Sequence, residues 1–69
     1  MQGSQPESHR YRIEYLRDRV RIGTEVSAGT LEATKQAARV GIVERQADFA
    51  YIIDDATEAE VWSESRSGI

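Results

Sequence analysis

The sequence predicts an α+β fold in which one helix packs on a four-stranded antiparallel sheet, in the chain order ββαββ. Two consecutive segments alternate polar and apolar side chains with the period of half-buried strands, and the next places small and apolar residues at helical spacing. Two further short segments have the composition of strands. With 69 residues, of which 39% are hydrophobic and 30% charged, the chain suffices for one small domain.

The first predicted strand covers residues 10–16. Tyr11, Ile13 and Tyr15 share one side of it, and Arg12 and Glu14 share the other. Aromatic and β-branched residues in strict alternation are typical of a strand with one face on a core. The link to the next strand, residues 17–18 or 17–19, is short enough for a hairpin, although it lacks the Asn-Gly or Asp-Gly dipeptide of the commonest tight turns.

The second predicted strand covers residues 20–26. We expect four of its side chains on one side: Val20, Ile22, Thr24 and Val26. Arg19, Arg21, Gly23 and Glu25 would then lie on the other side. Gly23 within the strand predicts a bulge, or a large neighbouring side chain that lies over the backbone.

The helix is predicted over residues 31–46, with Thr30 as its N-cap because a threonine hydroxyl can accept from a free backbone N–H of the first turn. An advance of about 100° per residue places six residues on one stripe: Leu31, Thr34, Ala37, Ala38, Gly41 and Ile42. Small side chains dominate this stripe, so we expect the helix to sit close against the sheet. Val40 and Val43 lie off the stripe, where each could be exposed or could contact a partner.

The third strand is predicted over residues 49–53, which are apolar on both faces and therefore typical of an interior strand. A polar turn at residues 54–58 leads to a fourth strand at 59–63. Placing the third strand inside the sheet favours the strand order 2-1-3-4. The predicted domain spans residues 10–63, and the segments 1–9 and 64–69 are predicted to be disordered because they contain few apolar residues.

A single helix covers only one face of a sheet, so aromatic side chains should remain on the other face. Such an exposed patch usually marks a contact surface, and a second copy of the chain is the simplest cover. We therefore predict a small non-catalytic interaction module that forms a homodimer through the uncovered face or an edge strand, with a further, unidentified protein partner also conceivable. The candidate interface residues are Tyr11, Tyr15, Tyr51 and Trp62.

The alternative function is nucleic-acid binding by the arginine-rich first hairpin. Arginines that alternate with tyrosines can contact phosphates while the rings stack on bases. The candidate contacts are Arg12, Arg17, Arg19 and Arg21. A net charge of -3 argues against this function, because nucleic-acid-binding domains are usually strongly basic.

Candidates for catalysis are few, and no cofactor is expected. The one histidine, His9, falls in the predicted tail, and the chain has no cysteine. Its glycines occur singly, so a phosphate-binding glycine-rich loop is not expected. The acidic residues Asp54, Asp55, Glu58 and Glu60 could in principle bind Ca²⁺ or Mg²⁺, but their spacing does not match the calcium-loop pattern and a solvated turn is the preferred interpretation.

The chain resembles short uncharacterised bacterial proteins of ββαββ layout in five segments: 11–15, 29–35, 47–50, 52–54 and 60–62. The resemblance covers residues 10–63 and implies layout and bacterial origin only, since that group carries no assigned activity. The sequence shows neither an apolar run of membrane-spanning length nor a secretory signal pattern. We therefore predict a cytoplasmic protein without membrane association.

Overall fold

The computed structural model describes residues 10–66, which form five elements. The strands are β1 (Arg10–Arg17), β2 (Val20–Ala28), β3 (Phe49–Asp54) and β4 (Ala59–Ser65), and the helix α1 (Leu31–Glu44) connects β2 to β3. All neighbouring strands are antiparallel, in the order β2-β1-β3-β4. The predicted fold class and strand order are confirmed.

The C-terminal boundary differs from the prediction. β4 continues to Ser65, so residues 64 and 65, predicted to be disordered, are part of the sheet. The Arg66 N–H donates to the carbonyl of Asp48 at 2.9 Å, which ties the end of β4 to the start of β3. Backbone pairing with β3 therefore orders a segment whose composition alone suggests disorder. The tails predicted at 1–9 and 67–69 lie outside the described residues.

The β1–β2 hairpin closes with a two-residue loop. Asp18 and Arg19 both have positive φ, 53° and 69°, and Arg17 pairs with Val20. This is the geometry of a type I′ turn, whose twist matches that of the flanking strands. Asp tolerates the left-handed region better than Arg does, so Arg19 holds the less favourable of the two conformations.

Each edge strand contains a register shift of the kind a β-bulge produces. In β2 the shift lies opposite Tyr15 and Leu16, next to Gly23, as the sequence predicts. Because Leu16 pairs with Arg21 whereas Tyr15 pairs with Gly23, the bulge breaks the alternation, and the prediction that Arg21 shares a side with Gly23 is wrong. In β4 the shift lies opposite Ile52 and Ile53.

The core lies between α1 and the two central strands, β1 and β3. Thr30 caps the helix by accepting from the Ala33 N–H at 3.0 Å, as predicted. The predicted stripe is also confirmed, because Thr34, Ala38, Gly41 and Ile42 are buried. The buried sheet residues opposite the helix are Ile13, Tyr15, Ala50 and Ile52.

Candidate interaction surfaces

The side of the sheet that faces away from α1, called the open face below, carries an apolar band. From β1 it carries Arg12, Glu14 and Leu16. The register adds the residues of β2 and β3 that pair with these three, and the β4 residues that pair with those of β3. Its apolar members are Leu16, Val26, Phe49, Tyr51 and Ile53. Val26, at the β2 edge, is 61% exposed. Val61, at the bulge of β4, is 41% exposed and has no partner in β3. Phe49 and Tyr51 have ring centroids 6.1 Å apart.

A carboxylate lies at the centre of this band. Glu14 is only 5% exposed although no helix covers it. Its Oε1 accepts from the Thr24 hydroxyl at 2.8 Å and lies 3.5 Å from Arg21 Nη1, and its Oε2 lies 3.5 Å from Arg12 Nε. Buried charges are tolerated when they are paired and hydrogen-bonded, and Glu14 meets this condition. The open face is therefore apolar around a satisfied polar centre.

Arg12 connects the open face to the acidic turn at residues 55–58. Its guanidinium lies 2.8 Å from Asp55 Oδ1 and 3.1 Å from Glu58 Oε1. The hydrogen bond and charge of Arg12 lower the pKa of the Glu58 carboxyl, and the bond to Glu58 contributes most to raising the pKa of Arg12. Two of the four carboxylates considered for a cation thus have an arginine partner. Among residues 10–66, no group of three or more metal-ligating side chains is arranged to hold an ion.

The structure separates the four candidate interface residues. Tyr51 lies half-buried on the open face, opposite Glu14. Tyr15 is fully buried in the core, so its assignment to an interface is wrong. Tyr11 and Trp62 also pack against the core, and the Arg39 guanidinium lies 5.5 Å from the Trp62 ring centroid. Strand alternation places Tyr11 and Tyr15 on one side together, and that side is the one that the helix covers.

The hairpin arginines considered for nucleic-acid contacts are largely engaged within the chain. Arg12 and Arg21 have the carboxylate neighbours described above. Arg17 Nη1 donates to the carbonyl of Gln46 at 3.3 Å. Arg19 stands in the turn, and within residues 10–66 it forms no ion pair. Phosphate binding by the whole set would have to compete with these intramolecular partners.

A second cluster, which sequence reasoning missed, lies under α1. The Tyr15 hydroxyl donates to Glu25 Oε1 at 2.9 Å, and Arg45 lies over the Tyr15 ring, 4.6 Å from its centroid. Burial, and then the bond to Glu25, raise the pKa of Tyr15 to about 12. Gly41 makes room for this hydroxyl, because a Cβ there would overlap Tyr15 Oη.

Gly23 completes the cluster from the side of β2. A Cβ on Gly23 would lie 2.9 Å from Arg45 Nη1, which confirms the expectation of a large side chain over the backbone at this position. Arg45 Nη2 also lies 3.7 Å from Glu25 Oε1. The two glycines were the sequence signal for this cluster, but the partner that each one accommodates depends on tertiary packing.

An open cleft of about 540 Å³ adjoins the cluster between α1 and β2. Glu25, Glu44 and Arg45 give it polar walls, and Val40 contributes an apolar surface. The Tyr15 hydroxyl is fully buried and bonded to Glu25, so it is not presented to the cleft as a reactive group. His9, the histidine considered for catalysis, falls outside the described residues.

Comparison with protein-family models, with curated proteins and with solved structures found no match to this chain. Within residues 10–66, no helix combines the length and hydrophobicity needed to span a membrane.

Proposed function

We propose that this protein is a small non-catalytic interaction module that self-associates through the open face of its sheet. The observation that carries the proposal is the apolar band around Glu14, which no other element of residues 10–66 covers. Exposed apolar patches with polar rims are typical of protein contact sites. The pairing of Glu14 with Thr24 and two arginines lets a partner cover the band without burying an unpaired charge.

Supporting geometry favours the face over the edges. Both edge strands carry a bulge, and bulges are a common means of preventing edge-to-edge pairing because they disturb the regular ladder. The area of the face sets the size of such an interface. Four strands about 4.8 Å apart, each with about six residues at about 3.3 Å, span roughly 20 by 20 Å before side-chain relief is counted. Two such faces amount to about 800 Å², below the roughly 1,200 Å² at which standard interfaces begin, so side-chain relief has to supply the remaining buried area.

The proposal is tested by the oligomeric state, measured by analytical ultracentrifugation from about 1 to about 100 μM. We expect a dimer for the wild type and a folded monomer for Val26→Lys, which puts a charge into the apolar band of each copy. The matched control is Val40→Lys on the outer side of α1, where the exposed fraction of 55% is close to the 61% of Val26. The control should remain dimeric.

Two results would overturn this function. One is a wild-type protein that is folded and monomeric at 100 μM. The other is a Val26→Lys variant that dimerises as well as the wild type, because edge pairing would tolerate a lysine on the face whereas face packing would not. Circular dichroism of every variant separates loss of association from loss of fold.

Nucleic-acid binding finds less support, since Arg12 and Arg21 lie beside carboxylates. Its test is retention on single-stranded DNA and RNA at low salt. Binding that weakens steeply with ionic strength and is lost in Arg19→Glu/Arg21→Glu would favour this alternative over the proposed function. A cytoplasmic location and a bacterial source stay predictions from the sequence.

A further inference from the structure

Four side chains that end in oxygen atoms form a row across the middle of the open face. Glu14 of β1 pairs with Thr24 of β2 on one side and with Tyr51 of β3 on the other, and Tyr51 pairs with Ser63 of β4. These four residues are called the polar row below. The bulge of β2 lies on one side of the row and the bulge of β4 on the other, so the row itself is regular across all four strands.

Apolar side chains flank the polar row on both sides. Leu16 and Phe49 stand next to it in one direction along the strands, and Val26 and Ile53 in the other. Arg12 belongs to the second of these flanking rows, but its guanidinium lies against the acidic turn. Successive rows are two residues, or about 7 Å, apart along the strands. A partner displaced by one row would therefore set its apolar side chains against the polar row.

The polar row has hydrogen-bonding capacity left for a partner. The Thr24 hydroxyl is bonded to Glu14 at 2.8 Å. By contrast, the hydroxyls of Tyr51 and Ser63 form no hydrogen bond within residues 10–66. Tyr51 is half-buried in a central strand, so a second copy that covers the face removes water from its hydroxyl. Burial of a hydroxyl without a hydrogen bond is unfavourable, which means that the partner has to supply one.

Two-fold symmetry can bring the polar rows of two copies together. A two-fold axis that lies between the faces and parallel to the strands leaves every position along the strands unchanged. It therefore lays each row of one copy over the same row of the other, whatever the sideways offset of the two sheets. Packed sheets cross at about 30°, which displaces a row by about 4 Å at the edge strands, about 7 Å from the centre. This displacement is smaller than the spacing between rows, so the polar rows stay in contact.

We infer that the two copies of the proposed dimer pack with their polar rows over each other, and that the Tyr51 hydroxyl of each copy forms a hydrogen bond with the polar row of its partner. This register sets apolar rows against apolar rows and leaves no buried hydroxyl without a hydrogen bond. The inference rests on the proposed function, and adds the register of the interface and its central contact.

The test moves one hydroxyl by one row in the full chain and measures the dimer Kd by analytical ultracentrifugation. Tyr51→Phe removes the hydroxyl from the polar row and should raise the Kd by about tenfold, because each copy loses a hydrogen bond. Tyr51→Phe/Phe49→Tyr has the composition of the wild type but carries the hydroxyl in an apolar row, and should raise the Kd by about thirtyfold. The matched control is Tyr15→Phe, which removes a buried hydroxyl on the helix side of the sheet and should leave the Kd within about twofold of the wild type.

Contacts between the two copies give a second readout that needs no variant. In dimers mixed from an isotope-labelled and an unlabelled copy, isotope-filtered NMR spectra detect protons of one copy that lie close to the other. The ring protons of Tyr51 should show such contacts to the partner's polar row, at Thr24, Tyr51 or Ser63.

The outcomes distinguish this inference from the proposed function. If the wild type dimerises and Val26→Lys does not, but Tyr51→Phe or the double variant dimerises as tightly as the wild type, the register is overturned and the proposed function stands. The same conclusion follows if Tyr15→Phe weakens the dimer as much as Tyr51→Phe, or if the Tyr51 ring contacts the partner only outside its polar row. Where circular dichroism shows that a variant has lost its fold, the contacts in the wild-type dimer decide. A monomeric wild type overturns both.

Discussion

Replacing Gly41 by alanine tests the packing of α1 on β1. An added Cβ would overlap Tyr15 Oη and the neighbouring ring carbon. The ring cannot easily withdraw, because Tyr15 is fully buried and its hydroxyl is bonded to Glu25. Alanine is otherwise the better helix former, by about 1 kcal/mol at an interior position. The sign of the effect therefore depends on which of the two contributions is larger.

The structure indicates that the cost of the overlap exceeds the gain in helix propensity. Overpacking a core by one methyl group costs about 1 to 3 kcal/mol, and losing a hydrogen bond to a carboxylate costs about 1.5 to 3 kcal/mol. After subtraction of the gain of about 1 kcal/mol in helix propensity, Gly41→Ala should lower the free energy of unfolding by about 1.5 to 5 kcal/mol. That is a large part of the roughly 5 kcal/mol expected for a domain of this size.

Urea unfolding measures this change, followed by the fluorescence of Trp62 and by far-ultraviolet circular dichroism. All proteins should be compared at one concentration, because association adds to stability. Val40→Ala, at an exposed position of the same helix, is the control and should change the stability by less than about 0.5 kcal/mol. In a Tyr15→Phe background the cost of Gly41→Ala should fall only in part, since the ring carbons remain. A Gly41→Ala protein as stable as the wild type would refute the reasoning.

Three further predictions concern single groups. The pKa of Tyr15 is about 12 in the fold, above the 10.0 of an ordinary tyrosine. Stability should therefore fall by on the order of 1 to 2 kcal/mol as the pH rises from about 10 to about 12, and Tyr15→Phe should lack this loss in urea melts at several pH values. Thr30→Ala removes the hydroxyl that accepts from the Ala33 N–H and should lower the thermal midpoint, at a cost of about 1 kcal/mol. Arg19→Gly removes the cost of a positive φ at a side-chain-bearing residue and should stabilise the hairpin by about 1 kcal/mol. Arg19→Ala removes the charge but keeps the Cβ, so it should not stabilise the hairpin. Equal urea midpoints for the two variants would contradict this explanation.

The third strand shows how much of the fold could be predicted. Residues 49–53 are apolar on both sides, and this property alone placed the strand inside the sheet, from which the order of all four strands followed. Its bounds were also predicted to within one residue. By contrast, the end of β4 was predicted two residues too early, because Glu64 and Ser65 owe their order to partners in β3 and not to their own composition.

The candidate site was predicted less well. Alternation correctly grouped Tyr11 with Tyr15, and Arg12 with Glu14, but it could not indicate which group the helix covers. That choice depends on residues from three strands and the helix at once, including the space that Gly41 leaves for Tyr15. The bulge in β2 also changed which residues share a side, since one extra residue moved Arg21 to the same side as Glu14.

Local information in the sequence thus determined the element order, the helix cap, the buried stripe of α1 and the central position of β3, because periodicity and capping depend on residues a few positions apart. Tertiary structure alone decided which side of the sheet stays open and how Arg12 shares the carboxylates of the distant turn. These features arise from contacts between segments that are distant in the sequence, and no short-range pattern encodes them.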